Sequence, residues 1–152
     1  MKHIFLLPLM VCLLVLQANA QTSSTDSPNS SIKARAAEGD SVWVIINHIK
    51  PDKREQFEKF VHEVFWPKAS NLSADEQRLF KQTRVLHPTE PEADGTYSYI
   101  FLMDPLIPGG NYEIDYLLKK IYGEGKWEQH SKMLGETFAR EQTQYVVVQS
   151  KY

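Results

Sequence analysis

The chain has a single cysteine, Cys12, and it lies inside the opening apolar run. Once that run is removed, disulfides, thiolate nucleophiles and cysteine-bound metals are excluded. Long hydrophobic runs are scarce too. Beyond the first twenty residues no stretch approaches the ~20 apolar residues that span a bilayer. A basic patch is missing, with 17 Lys and Arg against 19 Asp and Glu, so nucleic acid is a poor partner. There is no GxSxG, no P-loop and no GxGxxG, which leaves serine-hydrolase and phosphate-cradling chemistry without support. His48, His62, His87 and His130 show no HxH or HxxxH spacing, so no metal site is expected.

What is present begins with MKHIFLLPLMVCLLVLQANAQTSS. Lys2 precedes an uncharged apolar stretch, Ile4 to Leu16, of 13 residues. Ala18-Asn19-Ala20 supplies a small-x-small cleavage site. This is the pattern of a secretory signal peptide over residues 1–20, with Gln21 as the new N-terminus. The protein is therefore expected to be periplasmic or extracellular, with no membrane attachment after cleavage. QTSSTDSPNSS is too polar to offset its ordering entropy and predicts a disordered linker over 21–39. A single domain over 40–152 remains. Asn29-Ser30-Ser31 and Asn71-Leu72-Ser73 match the glycosylation sequon, which matters only in a eukaryotic secretory host.

Within that domain, VWVIINHIK predicts a first strand over 42–50, broken by Pro51. Asp52 and Glu55 have capping-box spacing. Phe57, Phe60, Val61, Val64 and Phe65 form a helical stripe ending near Trp66-Pro67. A short helix is expected after Ser73, anchored by Leu79 and Phe80. Thr83–His87 reads as a second strand, and Asp94-Gly95 as a hairpin signal. Thr96–Met103 reads as a third, with Tyr97, Tyr99, Phe101 and Met103 on one face. Helices follow over 112–122, stopped by Gly123, and over about 125–141. The strand TQYVVVQS, 143–150, ends the domain.

The order is βαββαβ, an α+β ferredoxin-like pattern with an antiparallel sheet and helices on one face. One-sided helices leave the other sheet face to water, and it should turn polar. VWVII and YVVV stay apolar on both faces, which means burial on both sides. A second copy of the same sheet, brought by a two-fold axis, is the simplest cover. A homodimer through sheet-to-sheet packing is expected.

The segments VWVIINHIKPDKREQFEKFVHEVFWP, YSYIFLMDP, YEIDYLLKKIYGEGKWEQHSKMLGETF and TQYVVVQSKY together resemble the dimeric α/β-barrel superfamily, including antibiotic-biosynthesis monooxygenase-like and NIPSNAP-like domains. The likeness lies in element order and apolar pattern. It implies a barrel made by two sheets, with a ligand pocket between each sheet and its own helices. Such families include cofactor-free oxygenases, haem-degrading enzymes and proteins without assigned roles. Export, the extra segment Lys68 to Gln82, the GlyGly loop and the split second helix set this chain apart.

His130 falls on the predicted apolar face with Trp127, Leu134 and Phe138, where an imidazole could act as acid, base or haem ligand. More often such a histidine is a rim or core residue held by a backbone carbonyl. Asn47 and His48 point to opposite sheet faces. The resemblance to haem-degrading members pairs Asn47 with Trp127 and His130 as candidate catalytic groups, although a Trp–His separation of three is tighter than theirs. Asn47 is otherwise a polar residue near a sheet edge. His62, Trp127, Tyr97 and Tyr99 are candidate ligand contacts; helix packing and interface packing are their commoner fates. The Pro108–Gly110 loop is a candidate lid, or only a connection. The leading reading is a barrel that binds a small apolar or aromatic ligand, with no cofactor. The alternatives are a cofactor-independent or haem-dependent monooxygenase, and an interaction module with a closed pocket.

Overall fold

A computed structural model describes residues 35–151. The expected signal peptide and most of the expected linker lie outside the described residues. The chain divides into Met1–Ser30 and Ser31–Tyr152, and everything described belongs to the second unit. No helix among the described residues is long and apolar enough to cross a membrane.

Four strands form one antiparallel sheet: β1 (Ser41–Ile49), β2 (Thr83–Leu86), β3 (Tyr97–Met103) and β4 (Thr143–Val148), in the order β2-β3-β1-β4. This is the ferredoxin-like arrangement. β3 pairs with both β1 and β2, and β4 closes the far edge of β1. The register sets Asn47 opposite Tyr99, Ile45 opposite Phe101 and Trp43 opposite Met103. Odd-numbered residues of β1 and β3 thus share one face, and that face carries the core: Ile49, Tyr99, Phe57, Phe60, Leu118 and their neighbours.

The first helix opens with a 3-10 turn at Pro51–Lys53 and continues as α1 (Arg54–Lys59). No side chain caps either start. The Asp52/Glu55 spacing is thus not used, because Pro51 already fills the first turn. Phe60–Phe65 then widens into a π-helical segment, in which Trp66 N–H reaches Val61 C=O. A π turn stacks residues i and i+5. Accordingly Phe60 and Phe65 lie nearly parallel, centroids 5.7 Å apart, and both are buried. Trp66–Asn71 tightens to 3-10, and α2 (Ala74–Gln82) follows. Here the capping box is real: Ser73 Oγ accepts from Glu76 N–H, and the Glu76 carboxylate accepts from Ser73 N–H at 2.9 Å. Leu79 and Phe80 are its buried anchors.

The second helical region splits into α3 (Ile114–Tyr122) and α4 (Trp127–Gly135), separated by Gly123 and Gly125, both at positive φ. α4 stops earlier than the pattern predicts. Phe138 is not helical and instead forms an isolated bridge with Ile49, so it reaches the core from a strand-like segment.

The opposite sheet face holds the even-numbered residues. Val44 sits between Leu102 and Tyr145 by register, and Ile46 pairs with Ile100. Leu86, Tyr145 and Val147 are exposed there at 44%, 54% and 46%. β4 is bare on its other side as well, with Val146 at 64% and Val148 at 65%. The chain's own helices lie on the core face and leave these residues open.

Candidate functional site

The helices do not close completely on the sheet. A cavity of about 370 Å³ lies between the core face of β1 and β3, the helix beginning at Arg54, and α3 and α4. Six aromatic residues stand in its wall: Trp43, Phe57, Phe60, Phe101, Tyr112 and Phe138. Tyr112 is held from two sides. Its ring meets Trp43 edge-on at 5.7 Å, and its hydroxyl accepts from Ile107 N–H at 3.0 Å. Burial pushes its phenol pKa up, so it remains protonated.

One wall is polar but uncharged. Gln144 Nε2 donates to Gln142 Oε1 at 3.3 Å, and Gln142 Nε2 donates to Asn47 Oδ1 at 2.6 Å. Asn47 Nδ2 in turn reaches Tyr99 C=O at 3.4 Å. Asn47 is buried on a central strand. That corrects the reading of it as a sheet-edge residue: pairing with β4 stops at Ile46, and beyond it the Gln142 side chain and the Thr137–Ala139 segment bonded to His48 and Lys50 close the edge. Glu113 and Asp115 stand among the lining residues, and Ser131 Oγ donates to Asp115 Oδ1 at 2.5 Å.

Of the expected site residues, the structure brings only Asn47 to this cavity. His130 lies across α4, stacked on Tyr122 at 4.1 Å, and faces an outer groove with Glu55, Gln56 and Lys59. The expectation that it points at the sheet is corrected by the helix phase. Ser131, Leu134 and Gly135 line the cavity, and His130 sits about 90° away from their mean direction at ~100° per residue. Trp127 packs against the core without lining the cavity, and its buried Nε1 has no partner among the described residues. Tyr97 lies under the Arg54 guanidinium at 4.6 Å. His62 stacks on His87 at 5.2 Å, and the two line a separate groove with Val61, Trp66, Thr83 and Val85, between the first helix and β2.

Tyr99 is fully buried, and its hydroxyl donates to Glu58 while accepting from Arg54 Nε at 3.1 Å. Burial pushes its phenol up to about 12, with the hydrogen bond to Glu58 adding to the shift. The same bond is the largest cause lowering the Glu58 carboxyl. This is a satisfied buried polar group, and it does not open onto the cavity.

His48 lies on the opposite face, as the strand alternation predicts. Its Nδ1 accepts from Arg140 Nη2 at 3.0 Å, and its Nε2 lies 3.1 Å from Thr143 Oγ1. Burial, then the Arg140 charge, lower its pKa, against raising contributions from Glu92 and Asp94.

Among the described residues no group of three or more His, Cys, Asp or Glu side chains could hold a metal. A haem would need an axial ligand, and none of His48, His62, His87 or His130 lines the cavity. The residues present do not fit a histidine-held haem. The cavity residues that sequence reasoning missed are Trp43, Tyr112, Gln142 and Gln144. The i, i+2 spacing of the two glutamines across the start of the last strand was the available signal.

No family sequence model and no curated protein matches the chain. Among solved structures, a Caulobacter crescentus CB15 protein described as a candidate antibiotic biosynthesis monooxygenase is similar to it. The two share 18% identity over 74% of this chain and 91% of the other, with a TM-score of 0.38. At that identity and score the likeness carries no argument about activity, and the ferredoxin-like assignment stands on strand order and pairing.

Proposed function

We propose that this is an exported, dimeric ligand-binding protein whose cavity takes a small, neutral aromatic molecule. The observation that carries the reading is the cavity itself: about 370 Å³, within the ~300–1,000 Å³ usual for ligand sites. Aromatic walls favour a planar apolar body. The Gln144–Gln142–Asn47 chain leaves amide donors and acceptors for a hydroxyl or carbonyl on that body. No Lys, Arg or His lines the cavity among the described residues, while Glu113 and Asp115 do. Anions are therefore disfavoured.

The dimer is supported by the open sheet face. The four strands hold 26 residues, which at ~3.3 Å per residue and ~4.8 Å per strand gives a flat footprint of roughly 400 Å². Two such faces approach the ~1,000 Å² that marks a specific interface. Val146 and Val148, bare on the other side of β4, would add to the buried area if the partner wraps that edge. Export is supported by the signal-peptide pattern alone, and the intact mass of the secreted protein tests it, with cleavage after Ala20 expected.

The monooxygenase alternative keeps Asn47 in the cavity wall but loses His130, which lines an outer groove instead. A binding assay decides the main reading. Purified protein is titrated with 2-naphthol, following tryptophan fluorescence, with Trp43→Phe as the control that assigns the quenching to the cavity among the three tryptophans. Saturable quenching that weakens at least tenfold in Asn47→Leu supports the reading. Unsaturable quenching, or an unchanged affinity in that variant, overturns it. Oxygen uptake during the same titration would instead favour the enzyme.

A further inference from the structure

Between Phe138 and β4 the chain runs as an irregular strap, residues 139–142, over the edge of β1. Its backbone is tied at one end, where Ala139 N–H donates to His48 C=O at 2.7 Å. At the other end Thr143 enters the ladder opposite Ile46. In between, two side chains hold it, one on each face of the sheet. On the cavity face Gln142 Nε2 donates to Asn47 Oδ1 at 2.6 Å, and Gln142 lines the cavity. On the open face Arg140 Nη2 donates to His48 Nδ1 at 3.0 Å. Asn47 and His48 are neighbours in sequence, so the two ties grip opposite sides of one point of β1.

The Arg140 tie depends on the charge of His48. A guanidinium has five donors and no acceptor. Nδ1 must therefore accept, and the imidazole proton sits on Nε2, 3.1 Å from Thr143 Oγ1. The Ser98 hydroxyl lies 3.3 Å from the same Nδ1 and donates to it as well. A proton taken up from solvent has only Nδ1 to go to. It removes the acceptor, sets an N–H against the guanidinium and leaves two cations in contact. Carboxylates stand on the other side of the pair. Asp94 accepts from Arg140 Nη1 at 2.5 Å and from Thr96 N–H at 3.0 Å, and with Glu92 it raises the His48 pKa. Lys50, next on this face of β1, is turned to Glu136 C=O at 3.0 Å. His48 is 8% exposed, and burial and Arg140 together outweigh the two carboxylates and lower its pKa. Neutral His48 is therefore the resting form at neutral pH.

We propose that His48 and Arg140 form a pH-sensitive clamp on the central cavity. With His48 neutral, the strap keeps Gln142 against Asn47 and the amide wall is in place. With His48 protonated, Arg140 lets go, the strap loosens from β1, and Gln142 leaves Asn47. The effect on affinity rests on that cavity being the ligand site; the release of the strap stands on the contacts alone.

The full protein, nitrogen-15 labelled and without ligand, is titrated from pH 7.5 to 5.0. The His48 ring protons and the Gln142 side-chain amide are followed, with circular dichroism to confirm that the fold persists. The Gln142 amide is expected to shift with the midpoint of His48. His48→Gln, whose amide oxygen accepts from Arg140 at every pH, should abolish that shift, and so should Arg140→Met. Val44→Glu should retain it, because the clamp lies within one subunit. Binding of 2-naphthol, uncharged throughout this range, should weaken at least threefold between pH 7.5 and 5.0 in wild type and hold steady in His48→Gln. A Gln142 amide that ignores the His48 titration, or that shifts in the same way in His48→Gln, overturns the proposal. So does a shift that disappears in Val44→Glu, which would place the effect between subunits. So does 2-naphthol binding of equal strength at both ends of the range. Gln142 following His48 while 2-naphthol fails to bind at pH 7.5 would uphold the clamp and refute the ligand site.

Discussion

Replacing Val44 by glutamate tests the dimer where its geometry is least forgiving. Val44 is near the middle of the open sheet face, between Leu102 and Tyr145 across the register and between Val42 and Ile46 along β1. In a lone subunit this position is only half-buried, so a carboxylate there can stay hydrated and the fold should survive. In a sheet-to-sheet dimer the same carboxylate is sealed from water and the two-fold brings a second one, while Arg84, which the register sets on this face beside Leu102, is already paired with Asp104. An unpaired buried charge costs about 3–5 kcal/mol. At ~1.4 kcal/mol per tenfold, even one such charge weakens association by roughly a thousandfold. Sedimentation velocity over a dilution series reads this directly, with far-ultraviolet circular dichroism to confirm that the subunit is folded. Wild type is expected to sediment as a dimer at micromolar concentration, and the variant as a folded monomer. A wild type that is a stable monomer at about 100 µM would refute the reasoning, since exposed Tyr145 and Val147 would then need no cover. So would a variant that dimerises as tightly as wild type.

Leu134 lines the cavity and is almost fully buried. Leu134→Ala should cost about 2–3 kcal/mol, at the low end for such truncations because the side chain already borders open space; a melting temperature lower by roughly 10 °C is expected by calorimetry. Ser73→Ala removes one half of the capping box and should cost about 1 kcal/mol in urea unfolding. The His48 pKa is lowered in the fold from the ordinary 6.5, so near that pH the unfolded chain binds more protons than the folded one. Stability is then full above pH 6.5 and declines as pH falls through that value toward the lower folded pKa. His48→Gln should flatten the decline in urea midpoints measured between pH 7.5 and 5.5. The depressed Glu58 carboxyl acts lower down, its contribution being lost as pH falls below 4.5. Because Tyr99 is the largest cause of that depression, Tyr99→Phe should reduce the loss.

The fold was legible because its signals are local and repeat. Strand alternation in Tyr97–Met103 put four side chains on the core face, and the register with β1 keeps them there. Ser73 and Glu76 lie three apart, and that spacing is enough to start α2. What could not be read were features set by tertiary competition. Asp52 and Glu55 have the same spacing as Ser73 and Glu76, but Pro51 starts that helix with a 3-10 turn and the box never forms. The π segment at Phe60–Phe65 is equally silent in an α-period pattern. Val64 and Phe65 look equivalent in sequence, and only the wider turn lets Phe65 stack on Phe60 while Val64 is left half-exposed.

The site shows how one misassigned residue moves an entire inference. Counting Phe138 into the last helix centres its apolar face between Trp127 and Phe138 and draws His130 toward the sheet. The helix ends at Gly135, and Phe138 reaches the core through its bridge to Ile49. Without it, the inward face is defined by Ser131, Leu134 and Gly135, and His130 rotates out to Tyr122. Asn47 survives the same correction because its direction is fixed by strand parity, which a two-residue shift in a boundary cannot change. Polar groups on central strands are therefore firmer functional candidates in a chain like this one than polar groups on short helices. That ordering predicts that Asn47→Leu will alter ligand affinity while His130→Ala will leave it unchanged. The reverse result in the 2-naphthol titration would mean that His130 reaches the ligand from its groove.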